Sequence, residues 1–518
     1  MRKKTFPLFL LVILFNSQSF SQIGIGTTTP DASALVDISS TTKGLLPPRM
    51  SSAQRDAIVN AAPGLIIYNI TTNSLEIFGN NTWNGLQVSH KNIKKLIGGS
   101  NTEVIKKMLP TADGGYILVG YSNSNNTGTF TGITNSGTND GWILKLDAKG
   151  NIQWQKLLGG TGTFDEFLDI QSTSDGGFII AGTSNSVTLF GMTNNGGSDG
   201  WILKIDTNGN TTWQKLLGGT GNETFHSIIV NADGSFVLAG YSYSSNTGTV
   251  TGLINNGASD GWLIKLNSTG DLQWQKFYGG DVTDVFYSVL ATTDGGFIFC
   301  GSSSSASGSG TFTGITNNGG TDGWLLKADA TGNMQWQKLL GGNAVDVFYN
   351  VLITTGNNFL LSGTSTSSNT GTLSGINNNG LQDGWILNTD ATGITQWQKL
   401  LGGANDDKLS ATIQLADGSF ISLGNSSSSL TGTLATNAGF GLSDGWIINI
   451  DASGNTQWQR LYGGSNADEF NAVIHFTDGN FLIAGTSASP NNGVLTGIAG
   501  YGAADAWIFT LDKTGNLY

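Results

Sequence analysis

The sequence is short of cysteine, proline and charge, and each shortage narrows what the protein can be. Cys300 is the single cysteine among 518 residues, so no disulfide framework within the chain is expected. Only 7 residues are proline and 12% are charged, yet acids outnumber bases and the formal net charge is −12. An acidic chain repels phosphate backbones, so the composition argues against nucleic acid as a partner.

Long apolar runs are also missing, apart from one at the start of the chain. Basic residues 2–4 precede an apolar stretch at 6–15, and small serines stand three and one positions before a cut after residue 21. This pattern predicts a secretory signal peptide over residues 1–21. Export then predicts a secreted or cell-surface protein, with the periplasm as the alternative compartment. No later stretch approaches the roughly 20 apolar residues of a spanning helix, so membrane insertion is not expected.

Signatures of catalysis are absent from the sequence. His90, His226 and His475 lie far apart and show no metal-ligand spacing. Cys300 stands in a strand-like run where sister repeats carry alanine, which predicts a small buried residue. There is no Gly-x-Ser-x-Gly nucleophile elbow. We therefore nominate no catalytic residue and expect no cofactor, with calcium as the one ion considered below.

Glycine, by contrast, is abundant, and much of it marks an internal repeat. A Gly-Gly pair recurs seven times at steps of 59 to 62 residues, and each pair is followed four or five residues later by an acid. The acids are Glu103, Asp165, Glu223, Asp284, Asp346, Asp407 and Asp468. Each unit later carries an Asp-x-Trp whose tryptophans are Trp142, Trp201, Trp262, Trp324, Trp385, Trp446 and Trp507. Fixed periods of this kind are typical of repeat architectures.

Each repeat reads as four short strands separated by turn signals. In residues 165–219, the strand-like run after the acid ends at Asp-Gly-Gly, a hairpin turn in which glycine supplies the positive φ. A second apolar run, a long polar loop, the run after Asp-x-Trp and a Trp-Gln-Lys run complete the unit. Four antiparallel strands per repeat predict an all-β protein, a seven-bladed β-propeller over residues 89–518.

The two ends of the repeat region predict how the ring closes. The chain stops where the seventh unit should begin its Trp-Gln-Lys strand, and the run before Gly99 resembles that strand, with Ile93 in the tryptophan position. The favoured interpretation is that this N-terminal strand completes the last blade. The alternative is a fragment that lacks its C-terminal strand.

The repeat pattern LGG-x-[DE]…DGGF-x-x-AGTS…DGW-x-x-K-x-D-x-x-GN-x-x-W resembles the seven-bladed β-propeller repeat family of secreted bacterial proteins, over residues 92–518. The piece with Asp147, Gly150 and Trp154 is also similar to the tryptophan-docking repeat of quinoprotein-like propellers, a class that neighbours the Kelch-like propellers. That resemblance implies a tryptophan packed between blades with no chemical role. It implies the fold and is nearly silent on the ligand, because propellers serve many functions.

Residues 22–88 form a separate piece. Their sequence motifs TTTP, LLPPRM and GLIIYN resemble those of an N-terminal module of exported, fibre-like bacterial proteins. The resemblance implies a small β-rich stalk or spacer that is a candidate for self-association. The predicted organisation is therefore a signal peptide at 1–21, this module at 22–88, and the propeller at 89–518.

Two rings of acids are the candidate sites on the propeller. Connections alternate between the two faces, so the Gly-Gly corners and the long Asn-, Thr- and Gly-rich loops share one face, where binding residues are expected. The ring from Glu103 to Asp468 is expected at the channel mouth, as a cation or ligand site. The other interpretation, favoured by near-perfect repetition, is that each carboxylate caps backbone N–H groups at the corner.

The second ring consists of the aspartates beside the buried tryptophans. They are Asp140, Asp199, Asp260, Asp322, Asp383, Asp444 and Asp505. Calcium prefers several oxygen ligands, and each loop offers an aspartate with asparagine side chains and carbonyls. The favoured alternative is an Asx-type turn that leads into the strand.

These observations predict an exported, non-catalytic propeller that acts as a binding or scaffold module at the cell surface, with a polysaccharide or a surface protein as its ligand. The alternative is a polysaccharide-active enzyme, a glycoside hydrolase or lyase, that uses carboxylates at the channel mouth. The acids that depart from the repeat there are Asp281, Glu166, Asp406 and Glu469. They are too few to nominate a catalytic pair.

Overall fold

A computed structural model describes residues 23–31, 33–71, 74–79, 82–85, 93–162 and 164–518. The predicted signal peptide and His90 lie outside the described residues. The chain divides into two compact units, Met1–Val88 and Ser89–Tyr518. In the part of the chain that is described, no helix has the length and apolar character needed to cross a membrane.

The N-terminal unit is a small β structure with one short helix. Ile23–Ile25 and Val36–Ile38 form a parallel pair, and a four-stranded sheet has the order Arg49–Met50, Ile66–Asn69, Ser74–Gly79 and Thr82–Gly85. The helix Ser52–Asp56 begins at a capping box, in which the Ser51 side chain accepts from the Gln54 backbone and the Gln54 side chain accepts from the Ser51 backbone.

The larger unit consists of seven four-stranded antiparallel sheets, numbered here as blades 1 to 7. The first, inner strands are Glu103–Pro110, Asp165–Ser172, Glu223–Val230, Asp284–Ala291, Asp346–Ile353, Asp407–Gln414 and Asp468–His475. The second strands are Tyr116–Ser122, Phe178–Ser184, Phe236–Ser242, Phe297–Ser303, Phe359–Ser365, Phe420–Ser426 and Phe481–Ser487. The third strands are Asp140–Leu146, Asp199–Ile205, Asp260–Leu266, Asp322–Ala328, Asp383–Thr389, Asp444–Ile450 and Asp505–Leu511.

The fourth, outer strands complete the blades. In blades 1 to 6 they are Ile152–Leu158, Thr211–Leu217, Leu272–Tyr278, Met334–Leu340, Thr395–Leu401 and Thr456–Tyr462. The loops between second and third strands carry short 3₁₀ turns at Gly128–Phe130, Gly248–Val250, Gly310–Phe312, Gly371–Leu373, Gly432–Leu434 and Gly493–Leu495. In blade 2 the corresponding loop carries the two-stranded hairpin Thr188–Leu189 and Met192–Thr193.

The N-terminal strand closes the ring, as the sequence predicts. Lys94–Ile97 pairs antiparallel with Asp505–Leu511 and is the outer strand of blade 7. Each inner strand contacts the inner strand of the next blade, and the inner strand of blade 7 contacts that of blade 1. The prediction of a seven-bladed propeller closed by an N-terminal strand, preceded by a small β-rich module, is confirmed.

Buried tryptophans form the centre of each blade. Trp142 and its six counterparts are fully buried, and in blade 4 the Trp324 ring stacks on Phe286 of the inner strand at 4.1 Å. In blades 1 to 6 the indole N–H donates to a glutamine of the outer strand, at 3.0 Å from Trp324 to Gln337 in blade 4. That glutamine in turn donates to the carbonyl of Thr311 in the 3₁₀ turn at 2.6 Å. One side chain therefore satisfies the buried indole and fixes the loop above it.

A second set of tryptophans joins neighbouring blades. A Cβ placed on Gly332 of blade 4 would meet the Trp274 ring of blade 3 at 2.7 Å, so the ring lies directly on the glycine of the next turn. At Gly150 the same position is occupied by Ile93, 3.0 Å from such a Cβ. The packing has the form that the tryptophan-docking resemblance implies.

Three of the outer-strand lysines also join neighbouring blades. Lys95 donates to the carbonyl of Gly150 at 2.8 Å, and Lys156 donates to the carbonyl of Gly209 at 2.5 Å. Lys215 pairs with Asp271 at 2.9 Å. Each ammonium reaches the turn of the following blade, which the one-dimensional pattern of the repeat does not reveal.

Candidate functional site: the propeller channel

The first ring of acids lies at the corners of the blades. Each carboxylate accepts a hydrogen bond from the second glycine of the preceding Gly-Gly pair, at 2.6 to 2.9 Å. In blade 1, Ser122 donates to the other oxygen of Glu103 at 2.7 Å. The seven residues, Glu103, Asp165, Glu223, Asp284, Asp346, Asp407 and Asp468, are at most 1% exposed. Their contacts are those of corner caps, and a ligand role for them stays a prediction.

The second ring lies beside the first. In each of its seven aspartates, Oδ2 accepts from the backbone N–H four residues earlier, at 2.8 Å from Asn318 to Asp322 for example. Oδ1 is buried in all seven and has no hydrogen-bond partner among the described residues. Burial raises the pKa to about 6 in the first six of these seven aspartates. These are Asp140, Asp199, Asp260, Asp322, Asp383 and Asp444, and for Asp505 the direction is the same.

The two rings meet across the first glycine of each Gly-Gly pair. A Cβ on Gly279 would lie 2.5 Å from Oδ1 of Asp260 and 2.6 Å from Oδ2 of Asp284 in the next blade. Any side chain at this glycine would therefore enter the gap between the two carboxylates. No group of three or more His, Cys, Asp or Glu side chains suited to a metal occurs within the described ranges. Calcium binding at the second ring stays a prediction.

A different set of residues lines the central channel. The inner strand of every blade is irregular at the residue three places after its corner acid, which has no partner on the second strand. Such a β-bulge redirects a side chain. All seven bulge residues line one cavity of about 370 Å³. They are Lys106, Leu168, His226, Tyr287, Tyr349, Ser410 and Asn471.

One side of this cavity is a continuous arc of rings across blades 3 to 5. His226 lies 4.8 Å from Tyr287, which lies 5.2 Å from Tyr349. Above His226, Tyr241 is 5.7 Å away and meets Tyr243 edge-on at 5.7 Å. Burial, with a smaller contribution from Lys106, lowers the pKa of His226 to about 4. The imidazole is therefore neutral at pH 7 and extends the aromatic surface.

The other side carries charge. The Lys408 ammonium lies over the Tyr349 ring at 4.3 Å, and the Lys106 ammonium lies near the Tyr121 ring at 5.6 Å. Neither ammonium has an ion pair or a hydrogen bond among the described residues. Burial lowers the pKa of Lys408. Glu166 is 7% exposed, and burial raises its pKa to about 7 against the opposing charge of Lys106.

The residues that line the channel differ from blade to blade, whereas the corner acids are nearly the same in every blade. In the sequence Glu166 and Glu469 stand out only as weak departures from the repeat, and His226 is an isolated histidine. Neither of the two lysines nor either inner tyrosine was predicted as a site residue. A signal was present. The position two residues after each corner acid is always apolar, whereas the next position differs in nearly every blade.

A larger depression of about 820 Å³ lies between the hairpin turns of blades 6 and 7. Its lining includes Asp417, Asn449, Trp458, His475 and Lys513. In blades 1 to 4 the third-strand lysine pairs with the hairpin aspartate, as Lys327 does with Asp294 at 2.9 Å, and blade 6 has Asn449 instead. The depression draws on two blades, whereas the channel gathers side chains from all seven.

Comparison with known proteins adds to this picture at the N-terminus. Residues 24–100 match a family described as a phage-tail-like trimerisation region. No curated protein matches the chain.

Solved structures with related features include the WD40 domain of Neurospora crassa Pan2, at 8% identity over 79% of this chain and 89% of that chain, with a TM-score of 0.41. Proteins of unknown function from Dyadobacter fermentans and Bacteroides caccae are each 10% identical. The match to the Dyadobacter fermentans protein covers 81% of this chain and 98% of that chain, with a TM-score of 0.39. The match to the Bacteroides caccae protein covers 67% of this chain and 93% of that chain, with a TM-score of 0.35. The architecture here rests on the sheet topology and not on these likenesses.

Proposed function

We propose that the protein is an exported, non-catalytic binding module whose propeller takes a glycan into the mouth of its channel. The observation that carries this proposal is the arc of His226, Tyr287 and Tyr349 in one cavity, with the Lys408 ammonium against the last of these rings. Rings offer flat apolar faces for the C–H faces of sugars, and nearby polar side chains such as Ser410 and Asn471 offer hydrogen bonds to hydroxyls. These residues interrupt the sevenfold repeat at the place where the blades converge.

The same proposal assigns the N-terminal unit to assembly. Its parallel pair of strands is open to solvent, with Ile23 56% and Val36 48% exposed, and an isolated parallel pair is not stable by itself. The matched family is described as a trimerisation region. Joining three copies would present three channels together and raise avidity without any new contact in the propeller.

Export and location at the cell surface belong to this proposal as well. They rest on the signal-peptide pattern of residues 1–21 and on the resemblance of the repeat to secreted proteins. A surface protein is the other partner considered, and the polar loops around the channel mouth would be its contact. Immunodetection of the protein on intact cells, before and after protease treatment, tests the location.

A polysaccharide-active enzyme is the second candidate, and Glu166 is the observation that favours it. A carboxyl whose burial raises its pKa to about 7 can be protonated at neutral pH, as a general acid must be. On blade 7, Glu469 accepts a hydrogen bond at 3.0 Å from Asn471, which lines the channel. In this candidate function Glu166 would protonate a glycosidic oxygen and the Glu166→Gln variant would lose all turnover.

One experiment separates the two candidates. Residues 22–518 are incubated with a panel of polysaccharides, and both retained protein and released sugar are measured. The binding module predicts retention without release, with at least tenfold weaker retention in Tyr349→Leu and none of that loss in Tyr518→Leu at the far end of the chain. Released sugar that disappears in Glu166→Gln would establish the enzyme. If the protein is not retained and no sugar is released, a glycan ligand is rejected.

A further inference from the structure

The two channel lysines point to the charge of the ligand. Lys408 is partly buried with its ammonium over Tyr349 at 4.3 Å, and it has no carboxylate within 4 Å among the described residues. A desolvated ammonium normally has an ion pair, because burying an unpaired charge is costly. In the structure the ring face contacts the ammonium, and such a contact is worth about 0.5–2 kcal/mol. Glu469, which lies beyond ion-pair distance, also favours the charged form of Lys408.

Lys106 reaches the same cavity from blade 1. Its ammonium is also without an ion pair, and its charge is close enough to lower the pKa of Lys408. The two ammonium groups repel each other, and the carboxyls that act on them, Glu166 on Lys106 and Glu469 on Lys408, form no ion pair with them. When Glu166 is protonated, the two ammonium groups outnumber the remaining carboxylate, in a chain whose formal net charge is −12. An anion placed between them would remove both the repulsion and the missing pairings.

We propose, as a refinement that rests on the proposed glycan-binding function, that the channel recognises a uronic acid unit, with the sugar carboxylate held between Lys106 and Lys408. The pyranose ring packs against Tyr287 and Tyr349, which adjoin Lys408. Ser410 and Asn471, on the neighbouring blades, meet the hydroxyls. A neutral sugar would leave both ammonium groups unpaired. An acidic peptide would use the lysines and leave the ring faces without a matching surface.

The test uses an oligogalacturonide and its fully methyl-esterified form, which share every atom of the sugar ring and differ in charge. Binding to residues 22–518 is measured by calorimetry at low and at physiological salt. We expect the free acid to bind at least about tenfold more tightly than the ester, because the free energy of one charge-assisted hydrogen bond corresponds to about that ratio of dissociation constants. We also expect that preference to shrink as salt rises.

Variants identify the groups responsible. Lys408→Met and Lys106→Met, which keep the chain length and remove the charge, should each lose most of the preference for the free acid. Lys338→Met, on the exposed outer strand of blade 4, is the charge-matched control and should bind as the parent does. A polyglutamate peptide tests the peptide alternative, and it should not compete with the oligogalacturonide.

Three outcomes overturn the inference. They are equal binding of acid and ester, an unchanged preference in Lys408→Met, or competition by the peptide. If acid and ester bind equally and Tyr349→Leu weakens both, the glycan-binding function stands and the uronate inference alone falls. If no sugar binds at all while every variant retains the parent melting temperature, the proposed function falls with it.

Discussion

The indole N–H of Trp507 is buried without an acceptor in the described structure, because Lys94 stands where the other six outer strands carry a glutamine. Phe509 pairs with Lys94 in the register in which Leu144 pairs with Gln155, whose side chain accepts from Trp142 at 3.1 Å. The strand that closes the ring therefore leaves one buried donor unsatisfied. Blade 7, in which the two ends of the propeller pair, should therefore be its least stable blade.

Lys94→Gln should strengthen that seam. The new side chain can accept from the Trp507 indole, and restoring a buried hydrogen bond is worth about 1 kcal/mol. Urea unfolding followed by tryptophan fluorescence should show a higher midpoint with an unchanged slope. Lys276→Gln, on the outer strand of blade 3, is the control: it replaces a lysine by glutamine where no indole N–H lacks an acceptor, so the unfolding midpoint should change little. A midpoint no higher than the parent's would mean that the indole finds another partner in solution.

The docking of tryptophan on glycine predicts a large difference between two otherwise similar substitutions. Gly332 and Gly295 both have positive φ, at 79° and 82°, so alanine at either should cost about 1 kcal/mol for backbone conformation alone. At Gly332 the new methyl would also meet the Trp274 ring at 2.7 Å, whereas nothing lies within 4 Å of it at Gly295. Gly332→Ala should therefore lose about 2–3 kcal/mol in total.

Equilibrium unfolding in urea measures both losses. Equal losses would show that the ring moves aside freely, and the interblade contact would then carry little of the stability. In Trp274→Leu the extra cost of Gly332→Ala should disappear, because the two residues interact directly.

Much of this fold can be predicted from the sequence because residues with the same structural role recur at the same position in every repeat. The glycine pairs, the corner acids and the tryptophans of the blade centres predict seven blades, and the run ending at Gly99 predicts the closing strand. A channel with acids at its mouth was predicted, but the side chains that line it were not, because strict alternation along a strand does not place the residue after Phe286 in it. The bulge at Tyr287 does, and bulges follow from the pairing of two strands, which a single strand does not reveal.

The buried aspartates of the second ring predict a stability that rises on mild acidification. Burial raises the pKa of six of them from 3.8 to about 6, so between about pH 4 and pH 6 the folded chain binds protons that the unfolded chain has released. Stability must then fall as pH rises through that window. The melting temperature should be a few degrees higher at pH 5 than at pH 7.5.

A single substitution checks the cause. Asp322→Asn imitates the protonated carboxyl, so at pH 7.5 it should raise the melting temperature and reduce the pH dependence. Asp406→Asn, at an exposed position of the loop face, is the control and should do neither. Carboxyls such as Asp294, whose pKa is lowered to about 2 chiefly by hydrogen bonds from Thr292 and Lys327, act in the opposite direction only below about pH 4. A melting temperature that is flat between pH 5 and pH 7.5 would contradict the assignment.

The exposed parallel strands of the N-terminal unit predict that the protein assembles through them. Residues 22–518 should have the mass of three chains by light scattering, and Val36→Asp should lower it to that of one chain because it places a charge on the surface to be buried. Thr41→Asp, at an exposed position of the same unit, should leave the mass unchanged. The propeller's own thermal transition should be the same in all three proteins. A single-chain mass for the parent would reject assembly through this unit.

Glu166 predicts how binding of an acidic sugar depends on pH. Its pKa of about 7, raised by burial, means that its negative charge is lost between about pH 8 and pH 6, which leaves the channel more positive. The charged and titratable groups around it are Lys106, Tyr121, His226, Tyr241, Lys408 and Glu469. His226, with a pKa of about 4, stays neutral over this range. Affinity for the oligogalacturonide should therefore rise several-fold from pH 8 to pH 6.

Glu166→Gln removes the titrating charge and keeps the shape of the side chain. It should bind the oligogalacturonide at pH 8 as tightly as the parent does at pH 6, with little further change on acidification. Asp281→Asn, an exposed carboxyl of the loop face whose pKa is lowered by the Ala306 backbone N–H, should retain the parent's pH dependence. If Glu166→Gln keeps that dependence too, the proton that tightens binding is taken up elsewhere, and the buried glutamate does not set the charge of the channel.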